Sequence, residues 1–239
     1  MRYDGRQLDQ MRPVKITPNF LLTAEGSALI EVGNTRVLCA ATLEDAVPPF
    51  VRGGGKGWLT AEYSMLPRAT ATRTAREIVK GRPSGRTHEI QRLIGRSLRT
   101  SLNMTALGER SVIVDCDVLQ ADGGTRTAAI TGAYVAVCLA LKKLVCYGTL
   151  KAMPIRDHVA ATSVGIVDGV PMLDLCYEED SAAEVDLNIV LTGKGQFVEL
   201  QATAERNEFT DDQLMAMIAL GRMGVQQLIE LQRQAINLD

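Results

Sequence analysis

A junction near the middle of the chain combines residue types that can hold an oxyanion. A glycine pair ending at Gly124 is followed by Thr125 and Arg126. Glycine lets the backbone approach a ligand without a Cβ in the way, and the hydroxyl and guanidinium can donate to phosphate oxygens. The apolar run 112–119 and the alanine-rich stretch 128–141 predict a strand and a helix on either side. Because the first N–H groups of a helix are unpaired, this order predicts a phosphate-binding turn. An ordinary turn with a threonine N-cap is the alternative.

A second group of residues is acidic. From 174 to 186 the chain has six acids and no base. We expect Asp180 in a loop and Asp186 at the start of the next strand, so that both lie at one end of a sheet. Two carboxylates beside a phosphate suit Mg²⁺, which completes its shell with water and phosphate oxygens. A solvated acidic loop is the alternative. Asp is depleted in strands, which favours the metal-binding interpretation for Asp186.

The charge of the chain is strongly segregated. Its net charge is −2, yet residues 52–99 carry eleven Lys or Arg against three acids, which leaves −10 for the remainder. Nine of the eleven are arginine, which suits phosphate recognition. A solvated basic face is the alternative. The candidate RNA-contacting residues in this stretch are Arg68, Arg73 and Arg76, with Arg92, Arg96 and Arg99 as weaker candidates.

Several elements must position these groups. Residues 87–103 predict a helix with one apolar face and the last three arginines on another. Thr87 is its expected N-cap, which places Arg86 at the mouth of the helix. Residues 68–85 lack periodicity and predict an irregular, exposed segment.

Hairpin signals divide the rest of the chain into two similar halves. The dipeptides Gly33-Asn34 and Asp168-Gly169 each separate two apolar runs, and 193–195 separate another pair. A capping box at Thr210 opens a long C-terminal helix. These signals predict an α+β fold, a mixed α/β arrangement of two βαβ-containing halves with mixed sheets and covering helices. We expect a single domain over residues 1–239, with the boundary between its halves near 145–158.

Composition excludes several classes of protein. Five scattered cysteines without a Cys-x-x-Cys pair argue against a disulfide framework and predict buried, reduced thiols. Two histidines are too few to argue for a zinc cluster. The polar N-terminus predicts no secretory signal, and no run of consecutive apolar residues is as long as a membrane span. We expect a cytoplasmic protein without membrane contact.

These motifs, taken in order, resemble the ribonuclease PH family from end to end. The matching segments are Asp4-Gly5-Arg6, Arg12-Pro13, 25–27, 57–67, 85–96, 122–127 and 173–181. The chain departs from the pattern at Ala202 and Arg206, where the family usually has glycine. Bulk there is expected to alter the floor of the site or the entry to the C-terminal helix.

The resemblance implies a phosphorolytic 3′-to-5′ exoribonuclease that trims tRNA precursors and also processes rRNA. Inorganic phosphate is the co-substrate, nucleoside diphosphates are released, and the reverse reaction is a nucleotidyltransferase activity. Gly124, Thr125, Arg126 and Arg86 would bind phosphate, and Arg126 would also be catalytic. Asp180 and Asp186 would be catalytic and hold Mg²⁺; in the alternative, one of them, preferably Asp180, would instead serve as general acid. The resemblance also implies a homo-hexamer, a trimer of dimers.

Two other functions are compatible with parts of the sequence. One is a catalytically silent RNA-binding ring subunit, whose expected sign is the loss of Arg126, Asp180 or Asp186. All three are present. The other is a magnesium-dependent phosphotransferase that places a nucleoside triphosphate in the glycine turn and consumes it without RNA.

Overall fold

The structure is a computed structural model that describes residues 2–236, with Ile78 and Lys80 described by their backbone only. Within this range the chain forms two sheets and five α-helices, with a 3₁₀ helix at Glu77–Lys80. The strands are β1 (Val14–Pro18), β2 (Gly26–Val32), β3 (Thr35–Glu44), β4 (Trp58–Met65), β5 (Ser111–Gln120), β6 (Val159–Val167), β7 (Val170–Leu173), β8 (Val185–Thr192) and β9 (Phe197–Ala204). The helices are α1 (Gly85–Ser101), α2 (Met104–Leu107), α3 (Thr125–Cys146), α4 (Tyr177–Ala182) and α5 (Asp211–Ile236).

The first sheet has five strands in the order β1-β2-β3-β5-β4. Adjacent strands pair antiparallel, except that β4 and β5 are parallel and are connected through α1. The β2–β3 hairpin turns at Gly33, which has a φ of +56°. Alternate residues of β5, including Val112, Val114 and Cys116, are buried in the core. This period of two directs one face of the sheet onto the helices.

The second sheet has four strands in the order β7-β6-β8-β9, and every pairing is antiparallel. Successive side chains of its strands also point alternately into two different hydrophobic clusters. Leu187 and Ile189 of β8 belong to the cluster that packs against α5, whereas Val190 belongs to the larger cluster around α3. The helix α3 therefore lies between the two sheets. Asp186 and Asn188, which share the face of Val190, lie on the side of the second sheet that faces α3.

Small residues let α3 approach the first sheet closely. A Cβ added to Gly26 of β2 would lie 2.1 Å from the Ala136 carbonyl oxygen, and one at Gly132 would lie 2.7 Å from Ile30. Both α3 and α5 are long and apolar enough to cross a membrane by length and composition alone. α3 is mostly buried as the central helix of the core, while a third of the apolar stretch of α5 is buried.

The structure confirms the predicted fold class, the hairpins and the capping box. In that box the Gln213 amide donates to the Thr210 hydroxyl over 3.2 Å, and the Thr210 amide donates to the Gln213 side chain over 2.9 Å. The mixed character of the sheets is confined to the first sheet, because the second is antiparallel at every described pairing.

Three local predictions were wrong. The N-cap of α1 is Ser84, whose hydroxyl accepts from the Thr87 amide, so Arg86 lies within the first turn. Asp180 lies in α4 and not in a loop, because the Glu179 carboxylate accepts from the Cys176 amide and caps this short helix. Cys146 is exposed, whereas the other four cysteines are buried, and all five are free thiols.

Candidate active site

The glycine turn has the backbone geometry expected of an oxyanion site. Gly123 and Gly124 have φ values of +74° and +66°, a left-handed conformation that favours glycine. Gly124 is the N-cap of α3, and among the described residues no side chain caps the start of this 22-residue helix. Its first N–H groups are therefore available to a phosphate. The Thr125 hydroxyl contacts the Tyr63 hydroxyl at 2.8 Å, and each can still form another hydrogen bond.

The turn lies directly against the start of α4. A Cβ at Gly123 would lie 2.5 Å from the Leu175 carbonyl oxygen and 3.1 Å from the Tyr177 nitrogen. The preceding residue strengthens this contact, since the Asp122 carboxylate accepts from the Tyr177 amide over 3.1 Å. Because α4 also carries Asp180, the glycine turn and an acidic residue of the second half are held side by side.

A buried cluster of ion pairs holds the glycine turn and α4 together. The Arg12 guanidinium donates to the Asp174 carboxylate at 2.7 and 2.9 Å and also to the Asp122 carbonyl oxygen at the glycine turn. Arg2 makes a bidentate contact with Glu179 of α4 at 2.7 and 2.8 Å. These four ion-paired side chains are at most 4% exposed. Arg6 joins both acids, at 3.3 Å from Asp174 and 3.4 Å from Glu179. We call Arg2, Arg6, Arg12, Asp174 and Glu179 the buried ion cluster.

The electrostatics of the two aspartates are those of a close acidic pair. Burial raises the pKa of Asp186 to about 6, and the charge of Asp180 acts in the same direction. Asp180 is exposed, but partial desolvation still raises its pKa, although the charges of Arg126 and Arg86 oppose the shift. The Asn188 amide donates to Asp186 over 3.1 Å. The predicted acids and two predicted phosphate-binding arginines therefore lie within electrostatic reach of one another.

Glu205 is a third acid near this pair. Its charge acts to raise the pKa of both aspartates. It is not among the site residues predicted from the sequence, and it lies directly after β9. Within residues 2–236, no group of three or more His, Cys, Asp or Glu side chains is arranged to hold a metal ion.

The two aspartates alone fit a magnesium ion better than a transition metal. They supply hard oxygen ligands, and their mutual repulsion leaves negative charge that a divalent cation would neutralise. Mg²⁺ is commonly held by one or two carboxylates together with substrate phosphates.

The candidate RNA-binding arginines fall into two groups. Arg68, Arg73, Arg76 and Arg92 are exposed, and the described residues offer their guanidinium groups no hydrogen bond or ion pair within 4 Å. The other two are engaged within the chain. Arg96 pairs with Glu199 of β9 at 2.6 Å, and Arg99 donates to the Leu59 carbonyl oxygen and lies over the Trp58 ring.

The two departures from the family pattern lie outside the site. Ala202 pairs with Leu187 and packs against the cluster beneath α5, on the face of the second sheet opposite Asn188. Arg206 is exposed after β9, and its guanidinium donates to the Ser181 carbonyl oxygen over 3.1 Å. Ala202 thus lies towards α5 and away from the two aspartates, whereas Arg206 contacts the helix that carries Asp180.

Family comparison agrees with this architecture. Residues 10–143 match domain 1 of the 3′ exoribonuclease family, and residues 157–224 match domain 2. The chain belongs to the 3′ exoribonuclease family. It is 66% identical over 236 residues to a protein of Solibacter usitatus (strain Ellin6076) named ribonuclease PH, with 99% of each chain covered. The resemblance predicted from the sequence is thus confirmed.

Solved structures share the fold at low sequence identity. The Rrp46 protein of rice (Oryza sativa) is 19% identical with a TM-score of 0.79, over 98% of this chain and 100% of that one. A chain of the Archaeoglobus fulgidus exosome, solved with RNA bound to the active site, is 23% identical with a TM-score of 0.81, over 96% and 91%. These likenesses establish the fold alone.

The buried ion cluster should dominate the stability of this region. We expect Asp174→Asn to destabilise the fold by about 3–5 kcal/mol, because it leaves Arg12 buried without its counter-charge. Asp168→Asn is the matched control, since Asp168 and Asp174 have φ values of +51° and +54° and Asn tolerates this conformation. Urea unfolding of both variants measures the difference. Equal, small losses in both would contradict the role of the cluster.

The aspartate pair should give stability a specific pH dependence. Because folding raises the pKa of Asp186 from 3.8 to about 6, its favourable contribution is complete below about pH 4 and is lost as the pH rises through 6. Asp186→Asn should therefore stabilise the metal-free protein by up to about 3 kcal/mol at pH 8, and the gain should shrink towards pH 4. Urea unfolding across this range, with a chelator, measures it. A gain independent of pH would argue against the acidic pair.

Proposed function

We propose that the protein is a phosphate-dependent 3′ exoribonuclease that trims the 3′ ends of tRNA precursors. The observation that supports this proposal is the contact between the glycine turn and the start of α4, the helix that carries Asp180. The name of the 66% identical relative supports the reaction class. The reverse reaction, addition of nucleotides from nucleoside diphosphates, uses the same groups. Processing of rRNA precursors is a further substrate proposal.

The attacking group is inorganic phosphate. It repels the RNA backbone, so the attack needs concentrated positive charge. The free N–H groups at the start of α3, the Thr125 hydroxyl and the guanidinium groups of Arg126 and Arg86 supply donors and charge. A phosphate oxygen then bonds to the phosphorus of the last phosphodiester as the bond from that phosphorus to the 3′ oxygen breaks. The terminal nucleotide leaves as a nucleoside diphosphate.

The departing 3′ oxygen needs a proton. The raised pKa values of the aspartate pair allow it to keep a proton at higher pH than an ordinary Asp. Asp180 is the proposed donor, because it lies on the helix that touches the glycine turn. In that case Asp186, held by Asn188, would be the carboxylate that binds Mg²⁺. In the alternative, both aspartates are ionised and would hold Mg²⁺, which when bound supplies charge neutralisation at the phosphates.

The exposed arginines extend the site towards the rest of the RNA. We assign Arg68, Arg73, Arg76 and Arg92 to the single-stranded backbone, where exposed guanidinium groups can pair with phosphates. Arg96 and Arg99 would contribute only after releasing their present partners. We further propose a single domain of two halves over residues 1–239, a cytoplasmic location without membrane contact, and a homo-hexamer arranged as a trimer of dimers. Two of the similar solved chains come from archaeal exosome structures.

Release of nucleoside diphosphates tests the reaction. A tRNA precursor should yield them only when inorganic phosphate is present, as measured by chromatography. Arg126→Ala and Asp180→Asn should each lower kcat/KM at least 100-fold, because each removes a group acting on the transition state. Glu178→Gln is the matched control, since it neutralises a neighbouring exposed acid of α4. Phosphate-independent release of monophosphates, or near-normal turnover in both variants, would refute the proposed function.

Salt dependence tests the RNA-binding arginines. We expect the Arg73→Ala/Arg76→Ala double variant to lose several-fold in RNA affinity and to reduce the slope of log K against log salt by about 0.7 per lost phosphate contact. The Arg52→Ala/Lys56→Ala variant removes the same charge from another exposed loop of the basic stretch. Fluorescence anisotropy over a salt series compares the two. Identical salt slopes in the two double variants would mean that net charge alone, and not the position of Arg73 and Arg76, determines RNA affinity.

A further inference from the structure

Three side chains from three elements close a polar triangle beside the glycine turn. The Arg126 Nη1 of α3 donates to the Gln201 Oε1 of β9 over 3.3 Å. The Gln201 Nε2 donates to the Glu89 Oε1 of α1 over 3.1 Å. The same Glu89 oxygen lies 3.7 Å from Arg126 Nη1. The triangle thus joins both halves of the chain at the guanidinium group of the candidate catalytic arginine.

The triangle occupies one nitrogen of Arg126 and leaves the others for a ligand. Within residues 2–236, the Nε and Nη2 groups of Arg126 make no hydrogen bond, and 16% of its side chain is exposed. A guanidinium held at one nitrogen cannot rotate freely, so the remaining N–H groups keep one orientation. Such an arrangement presents donors to a phosphate without a further loss of rotamer freedom on binding.

Strand register places Gln201 in a row of neutral polar side chains. Gln201 of β9 pairs with Asn188 of β8, which pairs with Ser163 of β6. Each member lies next to a different part of the site. Asn188 donates to Asp186, and the buried Ser163 hydroxyl lies 3.8 Å from where a Cβ of Gly124 would be. The row therefore lies beside Arg126, Asp186 and the glycine turn. Its member Gln201 contacts Arg126.

We propose that Gln201, anchored by Glu89, is a positioning residue that orients the Arg126 guanidinium for inorganic phosphate. This inference rests on the proposed function for its kinetic test, but phosphate binding tests it separately. The competing explanation is that the triangle merely fastens β9 to α1. A second link of that kind exists nearby, where Glu199 of β9 pairs with Arg96 of α1 at 2.6 Å. It makes no contact with Arg126 and offers a matched control in the same strand.

The experiment compares Gln201→Leu with Glu199→Leu. Titration calorimetry with inorganic phosphate alone should give a Kd about ten-fold higher for Gln201→Leu, the size expected when a freed arginine side chain must lose its rotamer freedom on binding. Glu199→Leu should match the unmodified protein in phosphate Kd. In phosphorolysis, Gln201→Leu should raise the KM for phosphate by a similar factor and leave the KM for RNA within two-fold. Thermal unfolding should shift equally in the two variants.

The anchor can be tested by conservative rescue. Glu89→Gln keeps an oxygen acceptor for Gln201 and should leave the phosphate Kd within two-fold, whereas Glu89→Leu should weaken it several-fold. An unchanged phosphate Kd in Gln201→Leu, or equal weakening in Glu199→Leu, would overturn the positioning role. If the unmodified protein binds phosphate in a Gln201-dependent way but releases no nucleoside diphosphates, the proposed function fails while the positioning role stands.

Discussion

The contact on which the site depends is the pairing of Arg12 with Asp174. It is buried, it is bidentate, and it involves residues 162 positions apart. The same guanidinium reaches the carbonyl oxygen of Asp122 at the glycine turn. One side chain from the N-terminal segment thus connects the glycine turn of the first half to the loop that follows β7 in the second. Arg2 extends the connection to Glu179 and therefore to the helix carrying Asp180. Since isolated buried charges are so costly, the cluster permits only arrangements in which its partners meet.

This constraint allows the fold to hold like charges near one another, which is electrostatically unfavourable. Asp180 and Asp186 repel each other, and the charge of Glu205 adds to the repulsion. Arg126 and Arg86 offset part of that cost from the first half of the chain. The acids and the arginines would separate if each half relaxed alone, but α4 is held against the glycine turn by the Asp122 side chain and the buried ion cluster. The pKa values of both aspartates are raised first by burial, and that of Asp186 is raised further by the charge of Asp180; a raised pKa is the property that a general acid requires.

The sequence predicted what local patterns encode and missed what long-range pairing decides. Hairpins at Gly33 and Asp168 and the capping box at Thr210 depend on a few adjacent residues. Gly124 and Arg126 were recognised because strand, turn and helix follow in order. The short helix α4 was missed because its capping acid looks like any other acid of the loop. The roles proposed for Arg12 and Gln201 have no local signal, since each lies more than 70 residues from its partner. No period or spacing predicts such a contact.

The departures at Ala202 and Arg206 illustrate how position decides the effect of a substitution. Ala202 lies on the strand face that packs against the cluster beneath α5, where its methyl group adds apolar contact away from the acids. Arg206 follows β9, where a long side chain can extend along the surface. Its guanidinium reaches the Ser181 carbonyl oxygen near the end of α4, and a cation at a helix C-terminus is favourable. A residue that looks disruptive in the sequence therefore adds a contact to the helix that carries Asp180.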